Sequence, residues 1–152
     1  MSSSDAFIDA CKAGLADELE QMLAKAPSLV NSQSDDHVPA IIHATCANKM
    51  KVVDLLIASG ADIEAKDSLY KGTALGFAAW HGYADIAELL VERGADVDGM
   101  GEDPSPLALA LDGADGRLAK EGAPGTTEGY VAIVSLLKAH GATVIGRINS
   151  AE

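Results

Sequence analysis

The sequence predicts an all-α solenoid, in which short helix–turn–helix units stack side by side with turns projecting between them. Three observations carry that prediction. First, Gly72 to Asp98 (GTALGFAAWHGYADIAELLVERGADVD) is echoed 34 residues upstream, where Pro39 to Glu64 reads PAIIHATCANKMKVVDLLIASGADIE. The copies align without a gap, with Ile41 on Leu75, Ala44 on Ala78, Val52 on Ile86, Leu55-Leu56 on Leu89-Leu90 and Gly60-Ala61-Asp62 on Gly94-Ala95-Asp96. A fixed period in the thirties marks a stacked-repeat architecture. Second, each copy divides into two short segments whose apolar residues recur at helical spacing. Third, a glycine stands where the second helix must stop, since a residue without Cβ tolerates the left-handed conformation of a helix end. Helices below about 12 residues are marginal alone in water, so stacking has to stabilise them.

In chain order, the first unit covers about residues 5–36 and carries Phe7, Ala10, Gly14, Leu19, Met22 and Leu23 at the matching places. The second covers about 37–68. In the third, about 69–102, a first helix from Thr73 to Trp80 presents Leu75, Ala78 and Ala79 and is halted by Gly82. Its second helix, Ala84 to Glu92, sets Ile86, Leu89 and Leu90 against Asp85, Glu88 and Glu92 on the opposite face, and Gly94 closes it. The last unit, about 103–145, opens at Ser105-Pro106-Leu107 and ends with Gly129-Tyr130 and Ile133 to Ala142, which match Gly82-Tyr83 and Ile86 to Ala95. Between its halves lie about 15 extra residues, roughly 113–128 (GADGRLAKEGAPGTTE). Their Gly, Pro, Thr and charge predict a loop with one helical turn near Leu118 to Lys120. Residues 1–152 are read as a single domain.

Composition narrows the function. Hydrophobic residues make up 48% but aromatics only 4%, so the core must be built from Ala, Leu, Ile and Val. No apolar run reaches the roughly 18 residues needed to span a bilayer. The opening MSSSDAF lacks the basic and apolar regions of a signal peptide, which points to a cytoplasmic protein. A net charge of -12 disfavours nucleic acid and anionic membranes and favours a protein partner with a basic patch. Cys11 and Cys46 belong to no metal-ligand pattern and are expected to be reduced and structural. No phosphate-binding glycine loop is present, and no cofactor or metal is expected. A monomer is expected, with self-association through an exposed end of the stack as the alternative.

The third unit resembles the ankyrin repeat. Thr73-Ala74-Leu75-Gly76, Ala78-Ala79, Gly82-Tyr83, Leu89-Leu90 and Gly94-Ala95-Asp96-Val97-Asp98 follow that family's Thr-Pro-Leu-His, Ala-Ala, Gly-His, Leu-Leu and Gly-Ala-Asp-Val-Asn pattern. Ala74 replaces the Pro and Gly76 the His, and one residue is inserted between Asp67 and Thr73, which makes the period 34 instead of 33. The resemblance implies that first helices line a concave side while the turns project as fingers. Carried over position by position, the variable groove residues are Asp9, Lys12 and Ala13; His43, Cys46 and Ala47; Phe77, Trp80 and His81; and Leu109, Asp112 and Gly113. The finger tips are Asp35-Asp36-His37, Ser68 to Lys71 and Glu102-Asp103.

The function this implies is non-catalytic protein recognition. Phe77, the sole Trp80, and His81 are the expected central contacts, Tyr70 and Asp67 the finger contacts, and His43 and Asp112 further groove contacts, with the insertion as a lateral clamp. Exposed aromatics commonly anchor interfaces. Acidic residues gather in or beside the turns (Asp35, Asp36, Asp62, Glu64, Asp67, Asp96, Asp98, Glu102 and Asp103), with Glu64 and Asp98 standing where the family prefers Asn. They predict a negative ridge. The alternative is small-molecule binding or catalysis in the groove through His43, His81 and Asp112, with Cys46 as a potential nucleophile.

Overall fold

A computed structural model of the chain describes residues 2–99 and 104–146. The fingertip predicted at Glu102-Asp103 lies outside the described residues. The described residues form four helix pairs: α1 (Ser3–Ala13) with α2 (Ala16–Lys25), α3 (Ala40–Cys46) with α4 (Met50–Ala58), α5 (Ala74–His81) with α6 (Ala84–Glu92), and α7 (Pro106–Ala114) with α8 (Thr127–Ala139). The first helices pack in series, α1 on α3 on α5 on α7, and the second helices form a parallel series, α2 on α4 on α6 on α8. That is a two-layer solenoid. Its core is largely the stripe of small and aliphatic residues expected from composition, including Leu19, Ile41, Leu56, Leu75, Ile86, Leu90, Leu107, Ile133 and Leu137, with the aromatic Phe7 buried beside them.

Local chemistry sets the helix ends. Ser2 and Asp5 form a reciprocal capping box at α1. The Thr73 and Ser105 hydroxyls accept from the Gly76 and Ala108 amides and so cap α5 and α7. The same two hydroxyls donate onward to the Gly99 and Thr143 carbonyls, so each cap also ties down the turn that follows its unit. Gly14 and Gly82 close the first helices of their units in the left-handed conformation, and Asn48 takes the same conformation in the second unit with φ 58°.

Successive units are stapled through one recurring position. The Asn31 side-chain oxygen accepts from the Asp62 amide (2.9 Å), Glu64 from the Asp96 amide (2.8 Å), and Asp98 from the Thr143 amide (2.7 Å). Glu64 and Asp98, two residues of the expected acidic ridge, are therefore also half-buried structural acceptors for the next unit. An Arg93–Asp54 ion pair (2.7 Å) adds a link between α6 and α4.

The insertion carries the expected helical turn near Leu118, and the flanking helices extend into it. Helix α7 runs on to Ala114, a 3₁₀ turn spans Leu118–Glu121, and α8 begins within the inserted stretch under a Thr126 cap. Leu118 is fully buried. Tyr130, also buried, lies across the glycine surfaces of Gly82, Gly113 and Gly125, where an added Cβ would collide with its ring or with neighbouring backbone. Its hydroxyl donates to the Trp80 carbonyl at 2.7 Å, so the insertion is pinned to the end of α5.

Candidate partner-binding groove

The turn joining the second and third units is built around one carboxylate. Asp67 is only 3% exposed, and its oxygens accept from the amides of Leu69 (3.1 Å), Tyr70 (2.9 Å) and Gly72 (2.8 Å). The Asp67 amide in turn donates to the Gly72 carbonyl, and the Ser68 hydroxyl donates to the Asp36 carbonyl of the preceding finger at 2.9 Å. A buried acceptor satisfied by several amides holds backbone that would otherwise be free to move. The outward consequence is the display of Leu69 and Tyr70, which are 74% and 67% exposed.

Beneath this turn lies a groove of about 500 Å³. Ile42, Val38, Cys46 and Phe77 supply its inner wall, and Leu69, Tyr70, Ser68 and Asp36 supply its exposed rim. The Tyr70 and Phe77 rings meet edge to face, 6.3 Å apart at 73°. His43 lies within the lining with its Nε2 3.0 Å from the Ser34 hydroxyl. Burial holds its imidazole below the ordinary value, the Lys12 ammonium acts in the same direction, and Asp36 opposes them. The ring is accordingly neutral near pH 7.

The other expected contacts fall elsewhere. Trp80 and His81 are half-buried and lie outside this lining. His81 stacks on Tyr83 and meets the Trp80 ring at 77°, both at 4.9 Å, while its Nδ1 donates to the Phe77 carbonyl at 2.8 Å. This ring ladder braces the end of α5. Asp112 is fully buried and paired with Arg117 of the insertion at 3.0 Å, so it does not face the groove as a contact. Asp67 is corrected likewise: its carboxylate is turned into the finger it organises and is not presented from it. Leu69 is the rim residue that the sequence reading passed over inside its own fingertip, although a Leu-Tyr pair in an otherwise polar turn was the available signal.

A family profile described as ankyrin repeats, in three copies, matches residues 7–100, well over half the chain. This chain belongs to the ankyrin repeat family. A mouse protein named Ankyrin repeat and SAM domain-containing protein 6 is 31% identical over 88 residues, which are 58% of this chain and 10% of that protein. A Caenorhabditis elegans protein named Ankyrin repeat and KH domain-containing protein mask-1 is 32% identical over 93 residues, 61% of this chain and 4% of its own length. The mouse protein named Protein phosphatase 1 regulatory subunit 27 is 29% identical over 104 residues, 66% of this chain and 67% of that protein. This ankyrin chain thus spans a tenth or less of the first two relatives.

Ankyrin repeats generally serve in protein–protein interaction. His43, His81 and Asp112 are not gathered into one constellation, and among the described residues no group of three His, Cys, Asp or Glu side chains is placed to hold a metal ion. Burial, reinforced by Asp67, pushes the Cys46 thiol up to about 11, and burial alone pushes Cys11 to about 12. Both remain protonated at neutral pH, the state opposite to a nucleophile. Among the described residues, no helix is long and apolar enough to cross a membrane.

Proposed function

We propose that the chain is a non-catalytic recognition module, acting as one four-unit domain in the cytoplasm as a monomer, and that it seats a segment of a partner protein in the groove between its second and third units. The observation that carries this reading is the preorganised finger. A buried carboxylate is committed to holding a turn whose exposed product is Leu69-Tyr70 above an apolar trough. Large apolar side chains held rigid beside a concavity bind with little ordering cost. Tyr70, Phe77 and His43 are the proposed direct contacts, with Trp80 and His81 extending the same face. Asp67 and Asp112 act through the backbone and the insertion they hold. A relative named as a phosphatase regulatory subunit fits a binding role.

Panning a phage-displayed random peptide library on the intact chain tests this reading. Peptides are expected to be selected that lose at least tenfold in affinity to the Leu69→Ser/Tyr70→Ser double variant. Both side chains are solvent-facing, so the variant should keep the parent's circular dichroism and melting temperature. Selected peptides that bind this variant as well as the parent would place recognition elsewhere.

A further inference from the structure

The groove's walls and its charges call for opposite things from an occupant. Its inner wall is apolar, through Ile42, Cys46 and Phe77. Yet the ionisable group it presents is anionic: Asp36 on the exposed rim, while the Asp67 carboxylate is turned to the amides of its own finger and His43, on α3, is neutral. Among the described residues no Lys or Arg lines it, and no ion pair joins Asp36 or Asp67 to a cation. Lys12 acts on the His43 imidazole, and Lys71 is exposed in the finger.

An aliphatic side chain filling this trough would strip water from Asp36 and offer nothing in return, which is costly for a charged group. An acidic or phosphorylated segment would be repelled. A long side chain with an apolar stem and a cationic end meets both demands, because its methylenes cover the wall while its head stays at the carboxylate. Two ring faces near a right angle, those of Tyr70 and Phe77, stand beside that path, and a planar guanidinium stacks on such faces and pairs with a carboxylate in a fork geometry that an ammonium cannot match.

Building on the proposed recognition role, we infer that the groove is a reader of arginine: it accepts an arginine side chain of an extended partner segment, with the stem against Phe77 and Tyr70 and the guanidinium on Asp36. The finger's apolar tip and the acidic rim are then two parts of one site. Net charge of the whole chain, -12, draws the same class of partner from a distance.

The test uses pools of fluorescent nonapeptides, randomised except for a central Arg, Lys, Leu, Phe, Glu or Ala, titrated against the full chain by anisotropy. The arginine pool is expected to bind at least tenfold tighter than the leucine and glutamate pools and several-fold tighter than the lysine pool. Asp36→Asn should weaken the arginine pool at least fivefold and leave the leucine pool unchanged, since only the Asp36 backbone carbonyl serves the fold. A leucine or phenylalanine pool that binds best, or an arginine preference indifferent to Asp36→Asn, overturns this inference. If such a pool still loses affinity to the Tyr70→Ser variant, the groove stands as a binding site and only its arginine chemistry is wrong. If no pool binds, both readings fall together.

Discussion

Asp67 organises the finger above the groove from within. Three amides converge on its carboxylate from a turn that also holds Lys71 at φ 57°, a left-handed conformation unfavourable to a side chain with a Cβ. Replacing Asp67 with Ala leaves those donors to water or to nothing, and should cost about 2–3 kcal/mol on the scale of lost bonds to a charged, shielded acceptor. Asp67→Asn keeps one acceptor oxygen and should cost about half as much. Urea unfolding measures both. The variants separate the two roles open to an acidic residue in a turn: a residue that merely faced a partner would lower affinity and leave stability unchanged. From sequence, Asp67 and Asp36 look alike, because each is an acidic residue in a turn between helices. Their difference is which way the carboxylate turns: Asp67 accepts from three amides of its own turn, whereas Asp36 stands exposed on the rim. Local spacing registers the one-residue insertion in that turn but not its hydrogen bonds.

The inserted element carries a similar lesson about packing. Glycine looks like a loop-former in GADGRLAKEGAPGTTE, yet Gly113 closes the last stretch of α7 and Gly125 sits in the return, both flat against the Tyr130 ring. Here glycine provides clearance. On helix propensity alone, Gly113→Ala should stabilise α7 by about 1 kcal/mol. Because an added Cβ would overlap Tyr130, the substitution should instead destabilise the protein by about 2 kcal/mol, as overpacked sites do. Thermal unfolding of Gly113→Ala and of Gly116→Ala makes the contrast. Gly116 has no atom within 4 Å of its would-be Cβ but takes φ +79°, so any loss there comes from backbone strain without a clash. The existence and length of the insertion were legible because the repeat on either side kept its register. Its ordering was not, since that depends on the burial of Leu118, on Arg117 folding back to Asp112, and on Tyr130 reaching the Trp80 carbonyl and Gly82 across the fold.

Across the whole molecule, the period supplied the layers, the stacking order and the core, because every apolar position repeats and each unit buries its face on the next. The groove was legible only in part. His43, Tyr70 and Phe77 line it, while Trp80 and His81 lie beyond its lining at the end of α5 and Asp112 is paired with Arg117 of the insertion. Charge is the property that belongs to no single unit. At -12 the chain repels itself, although some carboxylates, Glu64 and Asp98 among them, are already committed to amides of the next unit. Those short contacts are weakly screened, whereas the repulsion among Asp17, Glu18, Asp85, Glu88 and Glu92 on the exposed outer faces acts through solvent. Raising sodium chloride from about 20 to about 300 mM takes the Debye length below the spacing between units, and should therefore stabilise the fold by about 1 kcal/mol, or roughly 3 °C in melting temperature. The same change should weaken capture of a cationic segment. Calorimetry of the free chain beside anisotropy titrations at the two salt levels reads both. If the melting temperature falls with salt, the inter-unit carboxylate bonds outweigh the repulsion, and the acidity of this stack belongs to its stability more than to its partner.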